Sequence, residues 1–267
     1  MRHDPIIYFA AAAQHSWCDW LQGHHVLENY ENNLGSEGDS MARYRDTYAS
    51  MAADLGAYMV MSEERRNGRM TAAEKEARKA AAIDWAARHS AFYSFTSHYD
   101  DIEGGPEGNL RNYEECKRAG IVRLMPVFHQ GEPMDLLRQY VRESTYIGLG
   151  FQRPIKNDAE WLDACFAEIP EGHWVHGFAM TNYLRWPLRS ADSKTWLHEV
   201  LAMEAESGQG KSALAYLTKS ELLDIVVKKY QRQWKRDLWR GTFGVAVGRG
   251  QQVDLEEVLA TLDSPAA

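Results

Sequence analysis

Short apolar runs alternate with longer amphipathic stretches along this chain, and most of the runs end on a brief polar or glycine-containing phrase. The runs Ile6–Ala12, Val26–Tyr30, Phe92–Tyr99, Ile121–Phe128, Tyr146–Leu149 and Trp174–Phe178 have the length and residue content of buried strands. Two weaker runs end at Asp54 and near Asp192, and counting both gives eight. The stretch Met41–Ala53 before the first of these also reads as helix. Between the runs, helix spacing recurs over Thr71–His89, Glu107–Ala119, Pro133–Glu143 and Asp158–Ala167. Thr71 and Glu74 have the spacing of a capping box, and Gly120 closes the second helix. Strand alternating with helix predicts βαβ units and a parallel sheet, and eight such units close a (β/α)8 TIM-like barrel.

The rhythm changes after Asp192. Trp196–Ser207 reads as helix, 207–212 as a flexible turn, Lys219–Arg240 as one long helix, and the last residues as a short acidic helix. The expected organisation is a catalytic barrel over 1–206 and a C-terminal helical extension over 207–267, with a basic helix at 219–240. Gly210-Lys211-Ser212 has the ending of a phosphate-binding loop. The first glycine of that motif and its preceding strand are missing, so phosphate binding is not expected there.

Composition narrows the partners more than the fold. The 267 residues suit one barrel, whose usual size is about 250. With 45% hydrophobic and 25% charged residues the chain can bury a large core. A net charge of −8 restricts any nucleic-acid contact to a local patch, because phosphate neutralisation dominates such binding. Cys18, Cys116 and Cys165 lack metal-ligand spacing and fit a reducing cytoplasm. No run approaches the roughly 20 apolar residues of a membrane span, and Ile6–Ala13 has no signal-peptide flanks. A cytoplasmic protein without a membrane partner is the expectation.

Candidate chemistry lies at the ends of the runs, where a barrel places its catalytic groups. Asp54 is followed by Leu55-Gly56-Ala57, where small residues admit a ligand to the backbone. Asp192 lies between Ser190 and Ser193, whose hydroxyls can hold a carboxylate. Either aspartate equally suits an N-cap for the next helix. Gln130-Gly131 follows Leu124–Phe128, where a planar amide can read a ligand's amide edge or simply satisfy a loop. His24-His25, His129, His173 and His176 invite a metal-hydrolase reading, yet no His-x-His follows the first strand and no metal is expected. Lys228, Lys229, Arg232, Lys235, Arg236 and Arg240 are interleaved with Tyr230, Trp234 and Trp239. This segment is either a nucleic-acid grip or a helix whose aromatics cover the barrel while its cations are solvated.

Taken in order, the phrases resemble a family. Asp54-Leu55-Gly56-Ala57-Tyr58 resembles the Asp-Ser-Gly-Gly/Ala-Phe motif of tRNA-guanine transglycosylases and of the phage enzymes that place 7-deazaguanines in DNA. Asp100-Asp101-Ile102, the stretch Pro126 to Gly131, Tyr146 to Gly150, His176-Gly177-Phe178 and Ser190 to Trp196 are similar to later motifs of that family, and roughly residues 45 to 200 are covered. Leu55 replaces the family's serine and Tyr58 its phenylalanine. The zinc site of the tRNA enzymes is absent, because three scattered cysteines cannot build it. That absence favours DNA over tRNA, and the phage branch is the closer likeness because its members share the His-Gly-Phe and Ser-Ala-Asp-Ser phrases.

The resemblance implies a glycosyltransferase that exchanges guanine in DNA for a 7-deazaguanine such as 7-cyano-7-deazaguanine, with no cofactor. It implies Asp192 as the nucleophile at C1′ and Asp54 as the general acid/base. It further implies that Asp100, or Asp101 if the alignment slips, binds the purine donors and that Gln130 reads O6. Gly148, Leu149 and Gly150 would contact the 7-substituent, Tyr58 would stack on the base, and His176 and Gly177 belong to the same pocket. The target base would be flipped or single-stranded. A tRNA substrate, a non-catalytic DNA-binding barrel and a nucleosidase are the alternatives, and the oligomeric state stays open.

Overall fold

The computed structural model describes residues 5–10, 21–30, 46–56, 64, 68, 70–101, 104–151, 158–180, 186–193 and 222–232. Its strands are β1 (Ile6–Ala10), β2 (His25–Asn29), β3 (Ser50–Asp54), β4 (Thr96–Ser97), β5 (Leu124–Met125), β6 (Val127–His129), β7 (Tyr146–Gly150), β8 (Trp174–Gly177) and β9 (Ser190–Ser193). Helices α1 (Ala72–His89), α2 (Gly105–Arg118), α3 (Met134–Glu143) and α4 (Asp158–Glu168) lie between them. All pairings are parallel, in the order β5-β4-β3-β2-β1-β9-β8-β7-β6. The two ends of that order, β5 and β6, are consecutive in the chain and flank Pro126. They are halves of one stave, so the sheet closes as an eight-staved (β/α)8 barrel. The staves are the eight runs read from the sequence, and the run ending at Asp54 is a strand rather than a helix end.

Pro126 explains the split stave. It has no N–H to give, although its carbonyl still accepts from Gly148 at 2.8 Å. Beyond it, the Val127 N–H turns to a side chain, donating to His98 Nδ1 at 3.0 Å. That bond leaves His98 with its proton on Nε2. Burial, as the largest effect, lowers its pKa to about 4.

Strand alternation separates two apolar sets. Ile7, Phe9, Val26, Met51, Ile147, Leu149, Val175 and Ala191 face outward, in one core with Ile83, Ala86, Leu137, Tyr140 and Leu162 of the helices. Tyr8, Ala10, Leu27, Ala52, Met125 and Val127 face inward around Phe95. The Phe95 ring lies 5.5, 5.1 and 4.9 Å from the rings of Tyr8, Tyr146 and His176, so it plugs the barrel axis. Barrel interiors are usually filled by branched aliphatic layers. This one is aromatic and carries polar chains.

Helix α1 opens on the expected capping box: the Glu74 N–H donates to Thr71 Oγ1 at 3.2 Å, and the Thr71 N–H to Glu74 Oε2 at 2.7 Å. Gly120, at φ 77°, follows α2 as anticipated. The segment 222–232 is helical, and its Leu222, Leu223, Val226 and Tyr230 lie in the main core. The spacing of these four puts them on one helix face. The helical segment 222–232 is thus docked on the barrel. The expected boundary near 206 falls outside the described residues. No helix among the described residues is long and apolar enough to cross a membrane.

Candidate active site

Two carboxylates converge where β3 and β4 end. The interior alternation that turns Ala52 inward also turns Asp54 inward, at the C-terminal end of its strand. Its carboxylate accepts from Asn29 Nδ2 at 3.1 Å, Ser97 Oγ at 3.2 Å and the Gly56 N–H at 2.8 Å. These three donors hold the carboxylate in place. Asp100 follows β4. A Cβ placed on Gly56 would lie 2.6 Å from Asp54 Oδ1 and 2.9 Å from Asp100 Oδ1. The two oxygens therefore face the same small space, kept clear because residue 56 has no side chain.

Behind Asp100 stands a histidine. His129, at the end of β6, is within 3.0 Å of Asp100 Oδ2 through Nε2. A Cβ on Gly150 would sit 2.8 Å from the His129 ring, so that glycine makes room for it. Burial opposes the charged imidazolium. The hydrogen bond to Asp100 and the charges of Asp100, Glu132 and Asp54 outweigh burial and hold the His129 pKa above its ordinary value. Asp100 Oδ1 and His129 Nδ1 have no hydrogen-bond partner among the described residues.

Asp192 forms a second group across the mouth, on β9. The Ala179 N–H donates to its Oδ1 at 2.7 Å, and His176 Nε2 lies 3.5 Å away. Ala179 holds φ 54°, a left-handed conformation uncommon outside glycine. The Ser190 hydroxyl does not hold the aspartate. Ser190 and Asp192 both face inward, two residues apart along the strand. His176 stands between them with Nδ1 on Ser190 Oγ at 2.7 Å, while Tyr146 meets the same hydroxyl at 2.7 Å. The result is a polar chain from Tyr146 through Ser190 and His176 to Asp192. His176 and Ser190 are fully buried.

The other anticipated residues scatter. Asp101 turns away toward the start of α2, where a Cβ on Gly104 would meet its Oδ2 at 2.7 Å. Asp100, not Asp101, is the residue paired with His129. Leu149 faces the outer core. The inward space at Gly148 is taken by Phe178, Met125 and Val127 and that at Gly150 by His129, while the outward space at Gly177 is taken by Met180 and Leu188 of the outer core. Those glycines serve packing. The Gln130 N–H donates to Gly150 O at 3.0 Å, pinning the strand end. Tyr58, Lys235, Arg236 and Arg240 lie outside the described residues. Lys228, Lys229 and Arg232 are exposed, but Tyr230 between them is buried in the core and is not available to stack on a base.

Four residues of the site carried no assignment from sequence: Asn29, Ser97, Asn109 and Glu132. The only signal for Asn29 and Ser97 is their place at the inward end of a strand. Glu132 and Asn109 sit in a loop and a helix and offered none. Among the described residues, no three His, Cys, Asp or Glu side chains converge as metal ligands.

Compared with known protein families and with curated proteins, the chain matches none. Among solved structures it is similar to a Coccidioides immitis protein described as a fructose-1,6-bisphosphate aldolase, at 11% identity over 87% of each chain, with a TM-score of 0.48. It is similar to the YdjI aldolase of Escherichia coli K12, at 10% identity over 89% of this chain and 90% of that one, with a TM-score of 0.46. It is also similar to dihydrodipicolinate synthase from Oceanobacillus iheyensis, at 11% identity over 97% of each chain, with a TM-score of 0.43.

No family model or curated protein supports the transglycosylase resemblance, and it is corrected accordingly. With it go the glycosyltransferase class, the exchange of guanine for a 7-deazaguanine, the tRNA alternative, and DNA as partner. The physical reason lies in the phrases themselves. Gly148 and Gly150 make room for neighbouring side chains, Leu149 and Tyr230 are core residues, and Ser190 is bonded to His176. The likeness followed the punctuation that barrel packing imposes at strand ends.

Proposed function

We propose that this protein is an enzyme of acid–base chemistry on a small polar substrate, held at the C-terminal mouth of the barrel between Asp54 and Asp100. One observation carries the reading: two carboxylate oxygens from different strands face the single space at Gly56, and one of these carboxylates is backed by a histidine held toward its protonated form. In this reading Asp54, ringed by three donors, takes a proton from the substrate. Asp100 returns one, and His129 Nε2 replenishes it. The proton left on Asp54 closes the cycle by passing to the pair across the Gly56 gap or to solvent. Both carboxylates lie in the wall of a closed barrel rather than on an open face, which favours a small molecule over a polymer.

The substrate class that suits such a pair is a hydroxycarbonyl compound. Its carbonyl acidifies the neighbouring C–H, and its hydroxyl hydrogen-bonds a carboxylate. The outcome is isomerisation or cleavage of the bond beside the carbonyl. The test is proton NMR in D2O with a panel of small hydroxyaldehydes, hydroxyketones and hydroxy- or oxo-acids. Wild-type protein exchanges or cleaves at least one member. Asp54→Asn and Asp100→Asn each lower that rate by about 100-fold or more. Turnover that both variants retain overturns the assignment.

A further inference from the structure

Glu132 is a carboxylate where the fold least tolerates one. Its side chain is 3% exposed. Burying an unpaired charge costs several kcal/mol, so such a group needs partners. Asn109 Nδ2 of α2 donates to its Oε1 at 2.7 Å, and the backbone N–H of His129 donates to its Oε2 at 2.7 Å. Among the described residues no lysine or arginine lies within ion-pair distance of it. The nearest group able to carry positive charge is the His129 ring, with Nδ1 at 3.8 Å.

The loop makes this arrangement compulsory. Gly131 takes φ 97°, and the Glu132 N–H returns to His129 O at 3.1 Å. The turn folds the Glu132 side chain back beneath the strand end it has just left. His129 therefore stands between two carboxylates, with Asp100 on Nε2 at 3.0 Å and Glu132 beyond Nδ1. We propose that Glu132 is a positioning residue for the acid–base pair: its buried carboxylate, fixed by Asn109, holds the His129 ring against Asp100 and keeps both ring nitrogens protonated. This rests on the reading of Asp100 and His129 as the proton-delivering pair.

The other ionisable groups around the ring act in the same direction or not at all. Asp54 on β3 adds a third negative charge. His98 at the end of β4 stays neutral near pH 7, because its Nδ1 accepts from Val127 and its pKa is lowered to about 4. The Tyr140 phenol on α3 is pushed up by burial and is not ionised.

The test is an NMR titration of the histidine ring nitrogens in the full-length chain, with His129 assigned by its loss in His129→Gln. In wild type the ring carries both protons at pH 7. Glu132→Gln lowers its pKa by about one unit or more, a tenfold loss of proton affinity. Asn109→Ala keeps the charge at Glu132 and leaves His129 protonated while lowering the melting temperature. The double variant Glu132→Gln with Asn109→Asp reverses the buried hydrogen bond, returns a negative charge to the pocket and restores part of the lost affinity. If Glu132→Gln does not fold, the double variant and Asn109→Ala carry the test. A ring neutral at pH 7 in wild type, or one whose titration is unmoved by Glu132→Gln, overturns the proposal. A ring that behaves as stated, alongside turnover that survives Asp54→Asn and Asp100→Asn, overturns the catalytic reading instead and leaves the electrostatic role of Glu132 standing.

Discussion

At Gly56 a single hydrogen atom separates a working site from a blocked one. A methyl group there would press on Asp54 Oδ1 at 2.6 Å and Asp100 Oδ1 at 2.9 Å. These are carboxylates fixed by other bonds, so they must move apart. Misplacing a catalytic group by about 1 Å costs on the order of 100-fold in rate. Gly56→Ala should therefore lower turnover about 100-fold while the protein still unfolds in one transition, as checked by activity assay and circular dichroism on the same sample. Ala179 is the opposite case. Its φ of 54° costs an L residue about 1 kcal/mol, and glycine removes that cost. Ala179→Gly should raise the melting temperature by a few degrees and leave the bond to Asp192 intact, since the donor is backbone.

At the scale of elements, the stave broken at Pro126 ties stability to pH. His98 accepts the Val127 N–H and must be neutral to do so. Its folded pKa, about 4, lies below the ordinary 6.5, so the unfolded chain binds the extra proton first. This contribution is fully present above pH 6.5 and is lost as pH falls toward 4, amounting to roughly 3 kcal/mol in all. The His129 contribution has the reverse sign. Its folded pKa is raised, so its contribution is present below pH 6.5 and is lost as pH rises through the folded value. Urea unfolding between pH 4 and pH 9 should show both slopes. His98→Asn, which keeps an acceptor but does not titrate, should flatten the acid slope alone.

The elements themselves were legible because hydrophobic period and capping are local. Thr71 and Glu74 announced α1 three residues apart, and the runs before Asp54 and Asp192 announced strands. The site was only half legible, for the complementary reason. Asp54 and Asp192 show themselves as strand-end carboxylates. The link from Asp100 to His129 joins two staves 29 positions apart and has no local signature. Glu132 has the look of a solvated loop charge, and only the turn at Gly131 buries it. The family resemblance misled for a related cause: strand-end glycines and histidines recur wherever side chains must interleave inside a barrel.

For the whole molecule, closure of the sheet brings these groups together. Asp54, Asp100 and His129 come from three neighbouring staves, while Asp192 and His176 occupy the far wall, where β8 and β9 pair. The helix at 222–232 closes the outer core through Leu223 and Val226. Leu223→Ala should cost about 2 to 5 kcal/mol and lower the single melting transition of the whole barrel, as seen by calorimetry. Two separate transitions would mean that this helix is not part of the cooperative unit.

The most direct test of the acid–base claim is solvent deuterium incorporation into a small hydroxycarbonyl substrate, followed by proton NMR for wild type and Asp54→Asn at equal concentration. The acid–base claim predicts incorporation or cleavage by wild type and a loss of about 100-fold or more in the variant, which keeps its fold. Equal incorporation by the two proteins would contradict it.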